Sequence, residues 1–199
     1  MLVYLLAALL AAFSGPQGPR EVMAKAVDDF RAGRIEQSVA GFDQLAKLVP
    51  DQAPELWQRG IAQYYAGRFR ECRDMFISHR TVNPADVENA AWHFLCVARA
   101  ESVAAARTQL LPVGPDARVP MREVYRLFKG ELTPAQVFAV AGSDPSALFF
   151  AQLYVGLYLE ATGEVAKGRE QITLAANPRN ARVGGYMHDV AHVHLMRVK

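Results

Sequence analysis

A repeat of fixed length constrains this chain more than any other feature of its sequence. Gly33 and Gly67 lie 34 residues apart, and so do Ile35 and Phe69, Ser38 and Cys72, Phe42 and Phe76, and Pro50 and Pro84. A unit of that length accommodates one helix–turn–helix pair, which cannot bury its apolar face alone and must stack on a neighbour. No segment shows the alternation of apolar and polar residues that marks a strand. With 51% hydrophobic and 21% charged residues, the chain can build a sizeable core and does not have the composition of a disordered segment. The fold expected from these features is all-α.

The units carry a recognisable pattern. From about residue 53 to 86 they place Trp57, Gly60, Tyr64, Gly67, Phe69, Cys72, Phe76 and Pro84 in order. From about 19 to 52 the corresponding residues are Ala26, Gly33, Ile35, Ser38, Phe42, Leu45 and Pro50. Near the C-terminal end, from about 149 to 182, Gly156, Gly163, Val165, Gly168, Ile172 and Ala175 recover the spacing. Over most of its length the chain resembles a tetratricopeptide-repeat (TPR) protein. Trp57 and Tyr64 each sit one place beyond that family's usual aromatic positions. The resemblance implies a right-handed superhelical stack of three to four helix pairs, with small residues such as Gly60 and Gly156 where helices cross. Among such proteins it is similar to the small repeat proteins of bacterial envelopes, including the NlpI-like lipoproteins that act as adaptors. Bacterial and chloroplast repeat proteins of similar size compare equally well. The lipid-attachment cysteine of the lipoproteins has no counterpart here.

Between the second unit and the last, the pattern degenerates. Residues 87–100 read as one helix, with residues 103–111 as its partner and Ala106 at the crossing, the third unit ending near 118. Pro112 cuts that partner short, and residues 113–116 form a loop. Two inserted helices follow within 119–142, one over 120–129 ending before Gly130 and one opening at Thr133-Pro134. Ser143 or Asp144 precedes the next helix, and residues 183–198 form an amphipathic helix expected to cap the stack. At the start, Leu2–Phe13 is an unbroken apolar run of signal-peptide length, with small residues Ala12 and Ser14 placed for cleavage before Gly15. Residues 1–14 therefore read as a signal peptide, with an uncleaved membrane anchor as the alternative, and 15–19 as a linker. The expected location is outside the cytosol, periplasmic or secreted.

In the family's stack the first helix of each unit lines a concave face. The resemblance puts Met23, Val27 and Phe30, then Trp57, Ile61 and Tyr64, then Leu95 on that face. It lacks the lysine and asparagine pairs that would clamp a terminal carboxylate. An apolar, aromatic groove suits an amphipathic or apolar peptide segment, so the expected function is a non-catalytic adaptor for a protein or peptide partner. Two other readings stay open: self-association, and a groove filled by this chain's own residues 120–142 or C-terminal helix.

Other constellations are weaker. His188 and His192 share a helix face, as do His93 and Cys96, so a metal- or small-ligand-binding protein, possibly enzymatic, is the alternative function. HDVAH lacks the glutamate of a HExxH helix, and no nucleophile elbow, phosphate loop or dinucleotide motif occurs. No metal, cofactor or catalytic residue is assigned. The net charge of +2 and the carboxylates interleaved with Arg68, Arg70, Arg73 and Arg80 argue against a nucleic-acid partner. Export would permit a Cys72–Cys96 disulfide between adjacent units.

Overall fold

A computed structural model describes residues 18–197. The apolar run 1–14 lies outside the described residues. The described chain is all-helical, with no strand among those residues. Its helices follow one another as hairpin pairs: α1 (Pro19–Arg31) with α2 (Ile35–Leu48), and α3 (Trp57–Tyr65) with α4 (Phe69–His79). Then come α5 (Val87–Ala100) with α6 (Val103–Thr108), α7 (Met121–Lys129) with α8 (Pro134–Ala141), and α9 (Pro145–Ala161) with α10 (Val165–Ala175). The described residues end in the short α11 (Ala181–Gly184) and α12 (Tyr186–Arg197).

The repeated glycines make one kind of turn. Gly33 and Gly67 adopt φ +71° and +75°, a left-handed conformation that only glycine takes cheaply. Just beyond them the Arg34 and Arg68 amides donate to the Asp29 and Gln63 carbonyls at 2.8 and 2.9 Å. One period further on stands Glu101, whose φ is −132°, and there Ser102 caps α6 by accepting from the Ala105 amide. The degenerate unit thus turns by a side-chain cap instead of a glycine.

The period is also visible in the packing. Ser38, Cys72 and Ala106, 34 residues apart in turn, are each fully buried on the second helix of their pair. Ser38 Oγ satisfies its buried hydroxyl by donating to the Ala26 carbonyl at 2.8 Å. The α9–α10 crossing is closer still, since a Cβ on Gly156 would stand 2.6 Å from Ile172 Cγ1 and 2.9 Å from the Gly168 carbonyl. Helix α9 begins at Pro145 because Asp144 accepts from the Ala147 amide at 2.8 Å, ahead of the repeat boundary expected near 149. It is apolar nearly all round, with Phe149, Leu153, Tyr154 and Val155 fully buried, and α5, α7, α8, α10 and α11 pack on it.

The C-terminal segment departs from expectation. Instead of one helix over 183–198, the chain breaks at Gly185 (φ +50°) into α11 and α12. Helix α12 packs on α10 and also reaches back to α1, so the last element meets the first.

Candidate functional site

Of the seven residues expected to line a groove, Trp57 lines one opening and Tyr64 another, while the other five border neither. Phe30, Ile61 and Leu95 are fully buried and Tyr64 nearly so, while Met23, Val27 and Trp57 are half-buried against the core. Over Phe30 and Trp57 the cover is Tyr186, the first residue of α12. The Tyr186 ring stacks on Phe30 with centroids 5.4 Å apart and meets Trp57 edge-on at 5.1 Å. Further along, Tyr65 Oη and His194 Nδ1 are 3.1 Å apart, and His194 Nε2 lies 2.8 Å from Glu160 Oε2. Apolar surface of Phe30 and Trp57 is removed from water by this packing.

The weaker constellations also find definite places. Cys72 and Cys96 are joined in a disulfide between α4 and α5, with Cα atoms 5.9 Å apart. A sulfur so bonded is neither a thiolate nucleophile nor a metal ligand. His93, almost fully buried, has its pKa lowered to about 4 by burial and, secondarily, by Arg73. The His188 and His192 rings approach to 4.6 Å, with His188 Nε2 bonded to the Asn177 carbonyl at 3.1 Å. No group of three or more His, Cys, Asp or Glu side chains suited to a metal occurs among the described residues. Of the arginine cluster, Arg68 pairs with Asp43 and Glu71, Arg73 pairs with Asp74, and Arg80 donates to the Pro112 carbonyl.

What remains open lies beside the closed groove. A cleft of about 280 Å³ is walled by Trp57, Phe76, Trp92, Phe150, Tyr186 and Met187. Its polar lining is His79, Asp86, Glu88 and Asn89. Helix α5 supplies most of this: Asp86 caps it by accepting from the Glu88 amide, and Glu88, Asn89 and Trp92 recur at helical spacing. The α4 residues Phe76 and His79 stand opposite, and His79 is fixed by donating from Nδ1 to the Pro54 carbonyl at 2.8 Å.

Two features set this cleft apart from ordinary core. First, three buried polar atoms of its lining have no hydrogen-bond partner among the described residues: Asn89 Oδ1, the Trp92 indole Nε1 and the Tyr186 hydroxyl. Buried polar groups are nearly always paired, and an unpaired one costs roughly 1–3 kcal/mol. Second, Asp86, Glu88 and Asp116 converge on one guanidinium, Arg118, which donates to Asp86 and Asp116 at 2.6 Å and also to Glu88. The Tyr154 hydroxyl donates to Glu88 as well. Burial raises the Glu88 carboxyl above its ordinary range, with Asp86 adding to the effect.

A second opening of about 420 Å³ lies toward the other end of α12, among Tyr64, Tyr65, Arg99, Glu160, His194 and Arg197. It is more polar, and the Arg99 guanidinium sits 4.9 Å above the Phe69 ring.

Sequence reasoning singled out Trp57 but not Asp86, Glu88, Asn89, Phe150 or Tyr186. One signal was there: a polar Glu88–Asn89 pair ahead of the run 90–98, which is apolar but for His93. No protein-family model matches this chain, and no curated protein matches it. Fold and site define an all-helical protein of stacked hairpins with one aromatic, acid-floored cleft.

Proposed function

We propose that the protein is a non-catalytic scaffold of TPR-like helix pairs that holds a segment of a protein partner in the cleft walled by Trp57, Phe150 and Tyr186. The observation that carries this reading is the set of unpaired polar atoms among aromatic walls. A peptide unit supplies what they lack, since its carbonyl accepts from the Trp92 indole N–H or the Tyr186 hydroxyl and its N–H donates to Asn89 Oδ1. The volume falls just below the usual 300–1,000 Å³ of small-molecule pockets and suits one inserted side chain. Support for the TPR-like reading is the recurrence of the 34-residue period in the buried positions Ser38, Cys72 and Ala106 and in the turns at Gly33 and Gly67. The proposed setting is outside the cytosol, supported by the Leu2–Phe13 run and the Cys72–Cys96 disulfide.

Selection of random peptides on the full chain, with Asn89→Ala as the counter-target, tests the function. Asn89 Oδ1 has no hydrogen-bond partner among the described residues, so the variant should melt no lower than the parent. Peptides that bind the parent and lose affinity for Asn89→Ala would support the reading. A library that yields only peptides indifferent to Asn89 would overturn it.

A further inference from the structure

We infer that the side chain this cleft receives is an arginine of the partner segment. The inference rests on the peptide-binding reading above and names the residue that anchors it. Charge is the first ground. Two carboxylates of the lining, Asp86 and Glu88, share the single guanidinium of Arg118 with Asp116 from the neighbouring loop, and no lysine or arginine is among the described residues that line the cleft. The cleft thus carries a surplus of negative charge that an apolar or acidic anchor leaves uncompensated.

The walls are the second ground. Trp57, Trp92, Phe76, Phe150 and Tyr186 line the cleft, and a guanidinium stacks on aromatic rings while its edge still donates hydrogen bonds. The chain's own Arg118 already does this at the rim, with its guanidinium carbon 5.9 Å from the Phe150 ring centre. Asn89 Oδ1, on a residue only 4% exposed, is the third ground: an acceptor without a donor, on the cleft lining. A guanidinium brings five N–H donors in a planar fork, whereas a leucine or phenylalanine brings none. Lysine shares the charge but neither the plane nor the fork, and it surrenders a more tightly held hydration shell.

The chain has two tryptophans, and both line this cleft, so indole signals report on it alone. The probes are Nα-acetyl-arginine methylamide, the citrulline analogue that keeps its shape without the charge, and the leucine and lysine analogues. Each is titrated into the full chain while the Trp57 and Trp92 indole N–H resonances are followed. The arginine probe should bind about tenfold more tightly than the citrulline one, the effect of one partly screened charge interaction. Asp86→Asn with Glu88→Gln should shrink that ratio to about twofold or less, because Asn still caps α5 and Gln keeps the shape of Glu. A leucine or citrulline probe that binds as well as arginine would overturn the arginine assignment and leave the peptide reading standing. A lysine probe that binds as well as arginine would reduce the assignment to charge alone and overturn it too. If no probe moves either indole at millimolar concentration, both readings fail. An unchanged arginine-to-citrulline ratio in the double variant, with an unchanged melt, would show that these carboxylates do not select the anchor.

Discussion

Reduction of the Cys72–Cys96 bond should destabilise the protein and loosen the cleft together. The bond closes a loop across a sequence separation of 24, for which the chain-entropy relation gives about 3–4 kcal/mol of stabilisation. At roughly 2–4 °C per kcal/mol for a chain of this size, the midpoint should fall by about 10 °C. The two sulfurs tie α4 to α5, the helices that contribute Phe76 and His79 on one side of the cleft and Asp86, Glu88, Asn89 and Trp92 on the other. Melts with and without dithiothreitol, followed by tryptophan emission, read stability and cleft in one experiment. A Cys72→Ala, Cys96→Ala double variant serves as control and should melt low in both conditions. Two titratable thiols in the native, air-oxidised protein, or a parent midpoint that ignores the reductant, would refute the reasoning.

Gly156→Ala should cost about 2 kcal/mol, although alanine gains nearly 1 kcal/mol of helix propensity, because backbone atoms of α10 and the Ile172 side chain block the new methyl; urea midpoints measure it. Asn89→Leu should raise stability by about 1 kcal/mol while abolishing peptide capture, since a buried acceptor without a partner is replaced by an apolar side chain. His93 titrates near 4 in the fold against about 6.5 when unfolded, so its contribution is complete above pH 6.5 and is lost as pH falls toward 4, up to about 3 kcal/mol. His93→Gln should flatten that fall in melts from pH 7 to 4. The raised Glu88 carboxyl acts with opposite sign in both proteins, so the difference between them isolates His93.

The helix pairs were legible because their boundaries are written locally. Asp86 and Asp144 cap α5 and α9, Pro134 opens α8, and Gly130 closes α7 with φ +87°. The break at Gly185 was missed because the apolar periodicity of 183–198 runs on through it. The cover over Phe30, Trp57 and Tyr65 was harder to read, for it depends on where Tyr186 and His194 meet α1 and α3, across more than 100 residues of sequence. The same holds for the acidic floor of the cleft. Arg118 comes from the irregular segment between α6 and α7, 30 residues from Glu88, and Tyr154 reaches Glu88 from a separation of 66. Periodicity predicts which face of a helix is apolar. It does not say which other face will cover it.

Tyr186 connects the two halves of this account. One face of its ring stacks on Phe30, and the ring stands perpendicular to that of Trp57, with which it lines the cleft. Its hydroxyl is left unpaired among the cleft's polar atoms, although burial pushes its ionisation far above the ordinary range. A phenylalanine would fill the same space without stranding a buried hydroxyl, so stability alone does not account for the tyrosine. Covering Phe30 and building the cleft are therefore one packing event, in which a single residue at the start of α12 serves both. Under the proposed binding role, that arrangement would confer selectivity. A long apolar groove accepts many amphipathic helices, whereas a cleft with room for one side chain, carboxylates on its floor and fixed hydrogen-bonding atoms discriminates by charge and shape.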